Sequence, residues 1–170
     1  MTKFEIVSFP QYAKDVIGVP LEDMTQEQKE QAMSCYRNIR TPMRSTEQSA
    51  GYDFVCPVET TIPHGWTATI HTGIRCSMKS NQALLLLPRS SLGMKHHLML
   101  SNTVGLIDPD YFFAQNEGHI VAKLVNLGNE TVVLKPGDRF VQGIIINFSV
   151  TDDDVAPKTS RTGGMGSTGA

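Results

Sequence analysis

Four short polar clusters carry residue types that can do chemistry. "SAGYDF" places Asp53 just after a glycine, and "PRSSLG" sets Arg89 beside Ser90 and Ser91, directly after the apolar run Leu84 to Leu87. "SNTVGLIDPDY" spaces out Asn102, Gly105, Asp108, Asp110 and Tyr111, and "PGDRFVQG" supplies Asp138, Arg139 and Gln142. An arginine next to two hydroxyls suits a phosphate, because it joins a planar, forked cation to short neutral donors. Carboxylates close to a phosphate suit Mg²⁺ held partly through its own waters. Each cluster also has a plain structural reading. Arg89 can be a surface arginine, Asp108-Pro109-Asp110 a turn, and Asp138-Arg139 an exposed ion pair worth little. Taken singly, the structural reading is the simpler one for each.

A fifth candidate is the glycine-rich stretch "GMGSTGA", in which Gly164 to Gly169 fit G-x-G-x-x-G. That pattern holds a dinucleotide only between a strand and a helix, with an acidic residue further on. The sequence offers none of these around Gly164. Other familiar arrangements are missing too. There is no Gly-Lys-Ser/Thr of a P-loop, no H-x-E with P-C-x-x-C of a zinc nucleobase deaminase, and no G-x-S-x-G elbow.

A length of 170 residues fits one domain with a proper core. The formal net charge of -2 gives no electrostatic footprint for nucleic acid or an anionic membrane. No stretch is long and apolar enough to span a bilayer, and "MTKFEIVSF" lacks a signal-peptide core, so a cytoplasmic protein is expected. The three cysteines, Cys35, Cys56 and Cys76, are an odd count without a C-x-x-C pair. They read as small semi-buried thiols rather than a disulfide framework or a zinc site.

The elements that must position these clusters are mostly strands. In "TATIHTGIRCSM" the apolar residues Ala68, Ile70, Ile74, Cys76 and Met78 fall on even numbers. Phe140, Ile144, Ile146, Phe148 and Val150 do the same in "FVQGIIINFSV". Such alternation predicts strands with one buried face. "QALLLLP" and "HIVAKLV" are more continuously apolar and predict strands covered on both faces. Turns are expected at Pro63-His64-Gly65, at 126–129 and at Pro136-Gly137-Asp138. This pattern predicts an all-β sandwich or jelly roll. One segment differs. Thr25 and Gln28 stand at capping-box spacing, and Ala32, Met33, Tyr36 and Ile39 form an apolar stripe, so one surface helix is expected over 25–39. Beyond Val150 the chain is polar and glycine-rich, and disorder is the default expectation for such a tail.

In order, "AGYD", "PRSSLGMKHH", "NTVGLIDPDY", "PGDRFVQ" and "RTGGMGSTG" resemble the five motifs of the trimeric dUTP pyrophosphatases (dUTPases). The resemblance runs from about Ser49 to Gly169, with a first strand near Phe4 to Phe9. It implies a distorted jelly roll, the dUTPase-like β-clip, over 1–150, carrying a helical insert at about 11–41. It further implies that 151–170 is an arm closing over a neighbouring subunit's active site in a homotrimer. The implied reaction is Mg²⁺-dependent hydrolysis of dUTP to dUMP and pyrophosphate, which limits uracil incorporation into DNA and supplies dUMP for dTMP synthesis. By resemblance, Asp108 activates the attacking water and Asp53 reaches the metal through coordinated waters. Asn102 and the backbone near Gly105 read uracil, and Tyr111 lies against the deoxyribose and rejects a 2′-hydroxyl. Arg89, Ser90, Ser91 and Gln142 face the phosphates. Arg161, Gly166 and Ser167 of the arm wrap the terminal phosphates, and Met165 covers the base where most members carry an aromatic ring. The "FFAQNEG" stretch after Tyr111 and the position of Arg161 resemble a branch from Gram-positive bacteria and their phages. The insert has no counterpart in the motifs and suits a trimer-rim cover or a protein partner. Two other readings share the scaffold: a regulatory binding protein, and a dCTP deaminase. The latter is disfavoured because Lys123 and Tyr111 stand where that branch has glutamate and tryptophan.

Overall fold

The computed structural model describes residues 1–155. The chain runs β1 (Lys3–Ile6), α1 (Phe9–Ile17), α2 (Gln26–Tyr36), β2 (Met43–Arg44), β3 (Tyr52–Val55), β4 (Thr60–Ile62), β5 (Thr67–His71) and β6 (Ile74–Ser77). It continues through β7 (Gln82–Pro88), α3 (Ser90–His96), β8 (Leu98–Leu100), β9 (Gly105–Ile107), β10 (Val121–Asn126), β11 (Val132–Leu134) and β12 (Arg139–Asn147). Single 3-10 turns lie at Leu21–Asp23 and Pro109–Phe113. Among the described residues the strands pair antiparallel in four small sheets, the largest ordered β2-β3-β12-β7-β9. A second joins β5-β10-β8, and β1-β6 and β11-β4 form ribbons. Phe54, Ile62, Ile70, Ile74, Leu84, Leu98, Leu124 and Phe140 fill the space between them, each at most 1% exposed. Burying each such side chain stabilises the fold by about 1.5–3 kcal/mol before the entropy of ordering the chain is subtracted. The expected all-β, jelly-roll-like architecture is therefore present.

Residues 9–36 hold two helices rather than the single one the sequence predicts. α2 has the expected capping box: the Thr25 hydroxyl accepts from Gln28 N–H at 3.2 Å and the Gln28 side chain accepts from Thr25 N–H at 2.9 Å. α1 begins earlier, at the end of what reads as the first strand. Ser8 caps it, accepting from Gln11 N–H at 3.3 Å, and Pro10 sits in its first turn, where a missing N–H costs nothing. Gly18 closes it at φ 89°, a left-handed conformation that a side chain would strain. Strand β1 accordingly stops at Ile6. The two helices meet over Ala13, Met24 and Ala32 and join the main core through Tyr12 of α1 and through Cys35 and Tyr36 of α2.

Strand β12 also departs from the alternation. Phe140 is buried as predicted, but so are Val141 and Gly143, while Phe148 is 39% and Val150 67% exposed. Pairing with β3 explains the flip. Arg139 faces Val55, Val141 faces Phe54 and Gln142 faces Asp53, so one residue is extra between Arg139 and Val141. Such a bulge reverses the alternation beyond it. Ile144 and Ile146 are turned to the half-covered side of the sheet, with Leu85 and Leu106. The two-sided cover expected for β7 is incomplete: Ala83, Leu84 and Leu86 are buried, Leu85 and Leu87 only partly.

Candidate active site

The bulge assembles one polar cluster. Residues directly opposite in an antiparallel pair share a face, so Gln142 lies with Asp53, and Arg139, set back by the extra residue, lies with Val55 on that same face. In an unbulged strand Arg139 and Gln142 would point to opposite sides. Asp53 is the hub. Its Oδ1 is 3.0 Å from Arg89 Nε, and its Oδ2 is 3.1 Å from Arg139 Nη1. The Ser45 hydroxyl donates to Oδ2 at 2.6 Å and accepts from Arg139 at 2.9 Å. The Asp53 side chain is only 10% exposed, so these partners offset a real desolvation cost. Gly51 leaves space that a Cβ would close: it would lie 2.7 Å from Gln142 Oε1. Among the described residues, Arg89 spends only its Nε on Asp53, which keeps its terminal amines for an anion. Arg89, Ser91, Asp138 and Arg139 line a cavity of about 480 Å³, and Ser90 is exposed beside it at the start of α3.

A second set forms a separate cleft of about 80 Å³ whose walls include Leu86, Asn102, Gly105, Ile107, Tyr111 and Ile120. Gly105 permits its narrowness, since a Cβ there would meet Leu86 at 3.1 Å. Thr103 makes the preceding turn at φ 64°, and Val104 N–H donates to Asn102 O at 2.7 Å. Tyr111 is 8% exposed, and its hydroxyl points away from solvent. That hydroxyl donates to His119 O at 2.8 Å and accepts from Asn116 Nδ2 at 2.8 Å. Asp108, one residue beyond Ile107, heads the 3-10 turn that carries Tyr111 and is partly exposed.

The structure thus gathers Asp53, Arg89, Ser91 and Gln142 at one end and Asn102, Gly105 and Tyr111 at the other, and among the described residues none lines both cavities. Arg161, Met165, Gly166 and Ser167 lie outside the described residues, as does most of the predicted arm. Sequence reasoning missed Ser45, Asn116 and His119. Among the described residues no three His, Cys, Asp or Glu side chains converge as a metal cage. Asp53 beside phosphate-type donors, with Asp138 on the cavity wall, fits a hydrated Mg²⁺ that takes its remaining ligands from a nucleotide. No helix there is long and apolar enough to cross a membrane, and all three cysteines are free, with burial raising the Cys76 thiol to about 12.

Comparison with known proteins gives this geometry a context. The dUTPase family model matches residues 37–169. The chain belongs to the dUTPase family. A deoxyuridine 5'-triphosphate nucleotidohydrolase of Lactococcus lactis is 42% identical over 139 residues, covering 79% of this chain and 93% of the relative. One from Laribacter hongkongensis is 39% identical over 135 residues, covering 75% and 87%. The crystal structure of the Streptococcus mutans dUTPase aligns with a TM-score of 0.66 at 34% identity, covering 88% of this chain and 98% of that one. The dUTPase of Staphylococcus bacteriophage 80alpha, at 16% identity and a TM-score of 0.63, shares the fold. The resemblance to a Gram-positive branch is reflected in the Lactococcus lactis and Streptococcus mutans relatives.

Proposed function

We propose that this dUTPase-family chain hydrolyses dUTP to dUMP and pyrophosphate. The observation that carries the reading is the narrow Tyr111 cleft, whose ring wall has its hydroxyl tied away to His119 and Asn116. A ring held in that way presents an apolar edge to a sugar and leaves no partner for a 2′-hydroxyl. Asn102 and the backbone about Gly105 read the uracil edge. Asp108 accepts a proton from a water, whose oxygen forms a bond to the α-phosphorus. The bond from that phosphorus to the bridging oxygen breaks, and pyrophosphate leaves with the electron pair. An ionised carboxylate within reach of a water is a competent base for this step.

Arg89, Ser90, Ser91 and Gln142 bind and orient the phosphates, with Arg139 beside them. Asp53 would hold Mg²⁺ through the ion's waters, and the metal when bound would neutralise charge along the triphosphate. Asp53 also aligns Arg89 through the 3.0 Å pair, so the same carboxylate orders the cation that meets the substrate.

The separation of the two cavities supports a site completed between subunits, as a closed C3 trimer would provide. The half-covered row of Leu106, Ile144, Ile146 and Phe148 supports the same assembly, since it offers apolar surface for a neighbour. Residues 151–170 act as the arm, with Arg161, Gly166 and Ser167 on the phosphates and Met165 over the base. A cytoplasmic setting suits this reading.

The test is pyrophosphate release with Mg²⁺ from dUTP, dCTP, UTP and dTTP in parallel. Release from dUTP alone is expected. Equal release from UTP would overturn the role of Tyr111, and release from none would overturn the enzymatic reading.

A further inference from the structure

The insert helix α1 touches the stretch that follows Tyr111 at both of its ends. At its start, Ser8 N–H donates to Glu117 Oε2 at 2.8 Å and the Ser8 hydroxyl donates to Glu117 Oε1 at 2.6 Å. Two turns on, Asp15 Oδ2 lies 2.6 Å from His119 Nδ1. His119 is fully buried, and its other nitrogen, Nε2, accepts from Gly73 N–H at 2.8 Å. A backbone N–H can only donate, so Nε2 carries no proton and Nδ1–H donates to Asp15. The tautomer and the ring plane are fixed together.

His119 then acts through its own backbone. Its carbonyl accepts the Tyr111 hydroxyl at 2.8 Å, and Asn116 bridges the same two groups. The loop between is folded tightly back on itself. Gly118, at φ 70°, lies so close that a Cβ would stand 2.7 Å from Tyr111 O and 2.8 Å from Phe112 Cα. Ala114, His119 and Ile120 are buried, but Asn116 and Glu117 between them are only partly covered, so the loop also relies on outside ties to stay in one conformation. Asp15 is suited to be one. Burial alone would raise its carboxyl, yet hydrogen bonds from His119 and Gln11 hold it below its usual value, so it stays ionised and accepting.

We infer that helix α1 is a clamp on the substrate cleft, in which Asp15 and Ser8 are positioning residues that fix Tyr111 through His119 and Glu117. The insert thereby sets sugar discrimination without touching the nucleotide. This rests on the proposed role of Tyr111, and the experiment separates the two.

The measurement is kcat/KM for dUTP and for UTP in the full-length protein, with hydrogen exchange across residues 114–120. Asp15→Ala is expected to lower the dUTP-to-UTP ratio by about tenfold, acting mainly through KM, because a small shift of a positioning group is costly. Exchange of the 114–120 amides quickens. Asp15→Asn retains an acceptor for His119 Nδ1–H and restores the ratio to within about twofold of the parent. A folded Asp15→Ala protein with unchanged ratio and unchanged exchange overturns the clamp. If Asp15→Ala does not fold, Ser8→Ala carries the same test: a lowered ratio supports the clamp and an unchanged one overturns it. Tyr111→Ala is the control. If it leaves the ratio intact, the sugar role of Tyr111 is wrong, and exchange alone decides the clamp: faster in Asp15→Ala supports it, unchanged overturns it.

Discussion

The two ends of the candidate site are held by different means. The anion end is built on strands: Gln142 on β12 sits opposite Asp53 on β3, and Arg139 opposite Val55, in a hydrogen-bonded ladder. The cleft end is built on irregular chain, with Tyr111 in a 3-10 turn and its hydroxyl tied to a loop carbonyl. A ladder fixes its side chains through backbone bonds that no single side chain can undo. A loop depends on a few named contacts, here Asn116, His119, Glu117 and the helix that grips them. Substitutions at the first end should therefore alter chemistry and leave the frame intact, and those at the second should loosen the frame as well.

The largest effect is expected where neither frame is at issue. Asp108→Asn keeps the shape of the turn but removes the base, so turnover falls by about 10³-fold or more. Calorimetry with a non-hydrolysable dUTP analogue should show binding retained, and normal hydrolysis by this variant would sink the base assignment. Next comes Asp53→Asn at the strand end. Loss of the charge that aligns Arg89 should lower kcat/KM for dUTP by about 10²-fold. The dUTP-to-UTP ratio and the melting temperature should stay near those of the parent; a large change in the ratio would erase the distinction between the ends. Gly118→Ala is the sharper probe of the loop end. The clash with Tyr111 O and Phe112 Cα, added to a left-handed φ, should cost about 2–3 kcal/mol. A thermal melt should show that loss, accompanied by a poorer dUTP-to-UTP ratio, whereas an unaffected melt would mean the loop has slack.

The sequence made the chemistry legible and hid much of the frame. Asp53, Arg89, Asp108 and Gln142 stand in short polar clusters at strand ends, where residue type alone suggests phosphate work. The capping box of Thr25 and Gln28 announced α2. Helix α1 stayed hidden because Pro10 and Ser8 can be read either as ending a strand or as opening a helix, and only burial of Tyr12 and Ala13 decides. The outward turn of Ile144 and Ile146 was unreadable because one extra residue near Arg139 shifts the pattern without changing its spacing afterwards. Ser45 reaches Asp53 only because Met43 pairs with Asp53 across β2 and β3. The grip of Asp15 on His119 spans 104 positions, a distance over which no local pattern carries information.

The bulge in β12 has a consequence for how this chain can change. One strand serves two surfaces, with Arg139 and Gln142 on the polar face and Phe140, Val141 and Gly143 against the core. The extra residue sets the phase between them. Replacing an amino acid there alters one surface at a time, but adding or removing one would swap both, sending Gln142 inward and an aliphatic neighbour toward Asp53. Along these few residues the count of positions acts as a gauge that chemistry and packing have to share.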